Sequence, residues 1–262
     1  MSLHEFLQAD PECRNLAAGA VHAVAPLLPE PDPAPTLRNL EGWAFDLAGR
    51  MPLPWNLHQA LDELNAYLFR DLGFRGDAHS YDDPANAALP LVIQRRRGLP
   101  IALSILWIDL GRRLGLDTVG IGLPGHFIAG LRTDLGILCF DPFHQGRAVG
   151  EEEAALLVST ATGGRVRFHP AMLNPAPHRA ILARLVRNLC VRYQRLEAWP
   201  EVLWSSTHLT LLEPTNPEPL RDRARAHLRL GNRDQALEDL EAALRLLPDP
   251  QVAEWVEGLR KG

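Results

Sequence analysis

Only three cysteines, Cys13, Cys139 and Cys190, occur among the 262 residues. They are odd in number and far apart, which excludes a disulfide framework. They point to a reducing compartment, so a cytoplasmic protein is expected. Long apolar runs are also missing. The longest covers residues 99–108, well short of the ~20 residues a spanning helix needs. The opening stretch, MSLHEFLQADPE, has acidic residues and no apolar segment, so no signal peptide is expected. Positive charge is not in excess: the formal net charge is −5. That argues against nucleic acid or a membrane surface as the partner of the chain as a whole. The chain has 10 histidines, yet no H-E-x-x-H motif and no Cys/His pairing. No metal ligands are assigned and no cofactor is expected.

What is present is a hydrophobic content of 46%. This suits a globular core, in a chain long enough for one large domain or two small ones. Residues 1–29 read as one or two short helices, and PEPDPAPT (29–36) as a proline-rich connector. Leu37, Leu40, Trp43 and Leu47 recur at helical spacing over 36–50. Leu57, Leu61, Leu64 and Leu68 form one stripe over 56–73, with Gly73 as the stop. Asp83 followed by Pro84 has the pattern of an N-cap and first helical residue. That helix is expected to be interrupted near Pro90 and to end at Gly98. The next runs from Pro100 to Leu114, with Gly115 beyond its end. It is apolar nearly all round, as a central buried helix is.

The period then changes from 3.6 to 2. TVGIGL (118–123), HFIAGLR (126–132) and ILCFDPF (137–143) read as strands of an antiparallel meander, with TDLG (133–136) as a four-residue turn. Such a turn pairs Arg132 with Ile137 and, counting back, Ile128 with Asp141. His126 and Asp141 then share a face as diagonal neighbours, within reach of an imidazole–carboxylate hydrogen bond. A carboxylate on one ring nitrogen fixes the tautomer and leaves the other for proton transfer, the base-and-orienter half of a nucleophilic triad. The same spacing also describes a partly buried histidine satisfied by a loop carboxylate.

A buried helix, a strand beginning with His and a strand ending in Asp-Pro together resemble the transglutaminase-like superfamily. The finer resemblance is to its bacterial SirB-type branch, the "core 2" group, on YDDPANAAL (81–89), RRRGLPIALS (95–104), RRLGL (112–116), GIGLPGHF (120–127) and FDPF (140–143). It covers roughly residues 36–190. It implies an α+β fold with a papain/transglutaminase-like core of buried helix and antiparallel sheet. In catalytic members of such a family the helix starts Gly-x-Cys, with a small residue four positions on. Gly98-Leu99-Pro100, with Ser104 one turn later, fits that frame, so Pro100 stands at the nucleophile position. Proline at the first helical position uses the geometry and offers no reactive group. His126 and Asp141 would be a remnant dyad. Cys139, two residues before Asp141 on the same face, and Ser104 are the candidate displaced nucleophiles. The bland readings are a small buried strand residue and a back-bonded or close-packing serine. Tyr81 and Asn86 fall in a segment similar to one characteristic of the family and are expected near the cleft. For Asn86 a local turn cap is equally compatible.

GIGLPG (120–125) formally fits G-x-G-x-x-G. A strand follows it and Pro124 interrupts it, so glycines letting the chain pass close to the helix start are the better reading. The three arginines of RRRG (95–98) are read as partners of a helix carbonyl end and of solvent.

Residues 217–250 form a 34-residue unit with Ala224, Gly231, Ala236, Ala243 and Pro248 at positions 8, 15, 20, 27 and 32. These resemble the small-residue and proline positions of a tetratricopeptide repeat. Residues 183–216 make a degenerate copy with Cys190, Tyr193 and Pro214 at positions 8, 11 and 32. Residues 251–260 read as a partial capping helix. The expected organisation is N-terminal helices and connector (1–35), a transglutaminase-like core (36–178), and tetratricopeptide-like helices packed on that core (179–262). The expected function is that of a non-catalytic adapter or regulator binding a protein or peptide partner. The alternative is a cysteine- or serine-type hydrolase or acyl transferase using His126 and Asp141 with Cys139, Ser104 or activated water. On the helical face, Arg221 and Arg225 stand for an arginine-rich surface able to clamp an acidic peptide. The same arginines equally suit pairing with Glu238, Asp239 and Glu241.

Overall fold

The computed structural model describes residues 1–28, 32–51 and 54–261. Residues 29–31, at the start of the proline-rich connector, lie outside them. The chain divides into two compact units, Met1–Ile181 and Leu182–Gly262.

The first unit opens with α1 (Leu3–Ala9), α2 (Leu16–Val24), α3 (Ala34–Arg50) and α4 (Leu57–Asn65). Leu40, Trp43 and Leu47 of the predicted α3 stripe are buried. The expected 56–73 helix is not one helix. At Ala66 it widens into a π-helix that runs to Asp71. Leu61, Leu64 and Leu68 of the stripe are buried across that change, while Leu57, the first residue of α4, is exposed. The expected 83–98 helix is also in pieces. Asp83 caps only a 3-10 turn, Pro84–Asn86. After β1 (Arg75–Gly76), α5 (Leu89–Arg95) begins with Pro90 in its first turn, where proline lacks no needed hydrogen bond, so Pro90 starts that helix instead of interrupting it. Arg96 then adopts a left-handed conformation, and β2 (Arg97–Gly98) pairs in parallel with β1.

The three arginines of RRRG consequently diverge. Arg95 donates to Asp83 at 2.8 Å. Arg96 lies over the Trp43 and Phe74 rings at 4.6 and 4.8 Å. Arg97 is exposed.

β2 leads through Leu99 into α6 (Pro100–Arg113). Every residue from Pro100 to Gly111 is buried, and each large aliphatic side chain there contributes about 1.5–3 kcal/mol. Gly115, with φ of +83°, turns the chain out. A five-stranded sheet follows in the order β6-β5-β4-β3-β7. Its strands are β3 (Thr118–Leu123), β4 (His126–Thr133), β5 (Gly136–Asp141), β6 (Arg147–Val149) and β7 (Pro175–Ala176). Arg132 pairs with Ile137 and Ala129 with Phe140, the register that the turn predicts. The turn itself is tighter than expected, because Thr133 and Gly136 also pair. Pro142 and Phe143 leave the strand for a 3-10 turn, Pro142–His144.

On one face of the sheet Phe140 stacks on Trp107 of α6, ring centroids 5.3 Å apart. On the other, Ile121, Leu123, Ile128 and Cys139 form a cluster with Val149 and with Ala154 and Val158 of α7 (Glu151–Thr162). Gly120 and Gly125 of GIGLPG do not face the start of α6. A Cβ on Gly120 would lie 2.5 Å from Ile181, and one on Gly125 would lie 2.6 Å from Ala161 of α7.

The remainder of the chain is helical: α8 (His178–Arg195), α9 (Trp199–Leu212), α10 (Glu218–Arg229), α11 (Arg233–Leu246) and α12 (Pro250–Lys261). In the second unit, Ala224 of α10 and Ala236 of α11 let those helices approach closely. Leu240 joins them, and Val252 and Val256 of α12 close the cluster. No helix among the described residues is long and apolar enough to cross a membrane.

Candidate functional site

β4 and β5 end on the same rim of the sheet, and their alternation puts His126 and Asp141 on one face. His126 Nε2 and Asp141 Oδ2 are 2.9 Å apart. The 3-10 turn that follows brings a third member. His144 Nδ1 lies 2.7 Å from the same carboxylate oxygen. The other oxygen, Oδ1, accepts the Phe143 backbone N–H at 3.0 Å, so Asp141 also caps its own turn. Asp141 is wholly buried, His126 nearly so, and the His144 side chain is 49% exposed.

Burial by itself would raise the Asp141 carboxyl. The hydrogen bond and charge of His126, and then those of His144, outweigh it and hold the carboxyl below the ordinary carboxylate range. An ionised carboxylate has no proton to give. Both facing ring nitrogens therefore carry hydrogen and donate to Oδ2. Sequence pattern alone does not single out His144, which lies beyond the Asp-Pro that ends the strand. Its signal was the spacing of three from Asp141 across a proline-initiated turn.

Phe143 ties this cluster to the start of α6. Its ring stands edge-on to His126 at 6.1 Å and to His144 at 5.2 Å. It also fills the space over Gly76, where a Cβ would lie 2.6 Å away. Gly76 pairs with Gly98, two residues before Pro100. Glycine is required at 76 by this close approach. Tyr81 stands edge-on to Phe143 at 6.2 Å. Asn86 is fully buried and braces the loop: its Nδ2 donates to the Ser80 carbonyl at 2.6 Å, and its own carbonyl accepts the Leu99 N–H at 2.8 Å.

The other expected residues fall elsewhere. Cys139 sits in the apolar cluster beneath α7, and burial pushes its thiol up. Ser104 is fully buried in α6, and among the described residues its hydroxyl has no hydrogen-bond partner, so it packs closely and does not back-bond to its helix. Arg221 contacts Asp249 at 3.0 Å and Glu218 at 3.1 Å. Arg225 contacts Asp222 at 3.3 Å, and its side chain is 46% exposed. Neither meets Glu238, Asp239 or Glu241. Asp239 pairs instead with Arg223, and Glu241 with Arg260. Among the described residues, His126, Asp141 and His144 each place one potential metal-ligand atom within 4.8 Å of the others, a grouping that no sequence motif announced.

Residues 34–187 match the transglutaminase-like superfamily. The chain belongs to that family. Residues 189–260 match the tetratricopeptide repeat, which supports a role in protein interaction. Among the relatives of this transglutaminase-like protein is a "UPF0162 protein" of Xylella fastidiosa (strain Temecula1), 41% identical over 207 residues, covering 78% of this chain and 73% of the relative. The "UPF0162 protein" of Pseudomonas aeruginosa is 29% identical over 238 residues, covering 90% and 86%. The human "F-box only protein 21" is 26% identical over 184 residues, which is 66% of this chain and 28% of that protein. No solved structure matches.

Proposed function

We propose that this protein acts as an adapter or regulator through protein or peptide binding, and that its transglutaminase-like core has no thiol nucleophile. The observation that carries the reading is Pro100 in the first turn of α6, where the family resemblance expects a cysteine. The imidazole–carboxylate pair meanwhile stays hydrogen-bonded. Cys139 does not take the missing place: it is packed among aliphatic side chains, and its raised pKa disfavours the thiolate that would attack. Ser104 is sealed inside α6. The tetratricopeptide unit supplies the partner surface. Arg225 is the better anchor there for an acidic peptide, because Arg221 is only 18% exposed and already held by two carboxylates.

Thiol chemistry tests the reading. In the native protein Cys139 is expected to react with iodoacetamide no faster than a free thiol. Fast labelling that both Cys139→Ser and His126→Ala abolish would establish the hydrolase or acyl-transferase alternative. Pro100→Cys is expected to give a thiol with pKa below the free value of about 8.5, since a helix N-terminus favours the thiolate. A value at or above it means that Pro100 does not occupy a nucleophile position.

A further inference from the structure

We infer that His126, Asp141 and His144 form a binding site for a divalent transition metal of the zinc class. The argument starts from one carboxylate oxygen. Two imidazole nitrogens from different parts of the chain, at 2.9 and 2.7 Å, converge on Asp141 Oδ2. Two N–H dipoles aimed at one anionic oxygen mark a point of concentrated negative potential that already attracts positive charge from two directions. A divalent cation there is bound by the same three atoms, with each ring presenting a lone pair in place of a hydrogen. Tetrahedral zinc with bonds of ~2.1 Å separates its donors by ~3.4 Å. The His126 and His144 nitrogens would thus retreat from Oδ2 by only ~0.5 and ~0.7 Å. All three donor atoms already lie within 4.8 Å of one another.

The chemistry of the donors selects the metal. Two nitrogens and one carboxylate oxygen suit zinc, cobalt, nickel or copper. Magnesium and calcium require oxygen-rich sites. The surroundings also suit a metal. Phe143 N–H fixes the second carboxylate oxygen at 3.0 Å, which orients Asp141 before any ion arrives. Asp141 is wholly buried, so the carboxylate is held within the fold and not on a mobile surface side chain. The half-exposed His144 gives the ion a way in. Three protein ligands leave a fourth position on a tetrahedral ion, the arrangement that lets a metal take a carboxylate, a carbonyl oxygen or water from outside. The inference stands on this geometry alone and is independent of the protein-binding reading.

The test uses the full chain, stripped with a chelator and titrated with Zn²⁺ by calorimetry, with Mg²⁺ and Ca²⁺ as controls. One equivalent of Zn²⁺ is expected to bind, with no heat from the controls. His144→Ala removes a half-exposed ligand and should fold normally by circular dichroism. It is expected to weaken Zn²⁺ binding at least ~100-fold, as loss of a direct ligand exceeds the loss of an outer-shell partner. Asp141→Asn should do the same, and Co²⁺ substitution should give the intense visible bands of a tetrahedral ion in wild type only. If wild type binds no Zn²⁺, or if His144→Ala binds it as tightly as wild type, the cluster is a hydrogen-bonded pair of imidazoles on a carboxylate and the inference falls.

Discussion

Asp141 in the first unit and Asp239 in the second are both buried, yet they are held by different chemistry. Arg223 grips Asp239 with two parallel contacts, Nε to Oδ2 at 2.8 Å and Nη2 to Oδ1 at 2.5 Å. A guanidinium is always charged, and its planar fork matches the carboxylate. That pair is a strut between α10 and α11. Asp141 is held by two imidazoles and one backbone N–H. An imidazole nitrogen can release its hydrogen and ligate a metal. Two imidazoles hydrogen-bond Asp141, whereas His227 stands 3.9 Å from Asp239, beyond hydrogen-bond reach, so the Asp141 arrangement has an option that the Asp239 one lacks. A buried carboxylate becomes structure or site according to its partner, not its burial.

The largest expected effect breaks the strut. Arg223→Ala leaves Asp239 buried without its cation and should cost about 3 kcal/mol in urea unfolding of the whole chain. No change in midpoint would mean that solvent already screens the pair, and the contrast with Asp141 would vanish. A second effect, of at most about 3 kcal/mol, concerns pH and the repeat unit. Burial pushes His208 down to about 4. The unfolded chain binds a proton near 6.5 that the folded state refuses until about 4. Stability should therefore fall as pH drops through that window, and His208→Leu should flatten the slope.

Asp141→Asn comes next, at about 2 kcal/mol, since one buried donor, His126, and one half-exposed donor, His144, lose their anion. Its pH dependence has the carboxylate sign. The folded pKa is lowered, so the contribution is present above the unfolded value, ~3.9, and is lost as pH falls through the folded one. Urea midpoints of wild type and variant should stay apart at pH 7 and converge in acid. The smallest effect compares the two repeats. Glu197 and Gly231 occupy position 15 of the two 34-residue units, counted from residues 183 and 217, with φ of +54° and +81°. Glycine costs nothing there, whereas glutamate is strained. Glu197→Gly should raise stability by up to ~1 kcal/mol and Gly231→Ala lower it by ~1 kcal/mol, read as opposite shifts of the melting temperature.

The equivalence of those two turns was legible in the sequence as a spacing of 34 residues, although position 15 of the first copy is not glycine. Small residues set the approach of α10 to α11. In the first copy Val202 and Leu209 stand where the second has Ala236 and Ala243, and they are equally buried. Alternation and a turn were likewise enough for the pairing of β4 with β5, because a one-residue slip would exchange the two faces of one strand and break both the Cys139 cluster and the Phe140–Trp107 stack. Less legible were the short elements. The three-residue β6 and the two-residue β7 carry too few side chains to show a period. The π-helix after Asn65 left no mark in the leucine stripe. It begins just after Asn65, which makes long-range contacts that no local pattern shows: its side chain accepts from Trp107 at 2.9 Å and donates to the Gly146 carbonyl at 3.4 Å.

By itself the sequence determined the buried helix beginning at Pro100, the antiparallel register, the shared face of His126 and Asp141, and the repeat spacing. Each follows from side-chain period or backbone restriction, which are properties of neighbouring residues. Only the tertiary structure decided that His144 closes on the same oxygen, that Cys139 is sealed under α7, and that Arg221 and Arg225 spend charge on Glu218, Asp249 and Asp222. Those outcomes depend on where a turn aims a ring and which helix covers a face, and the sum of packing across distant segments sets both.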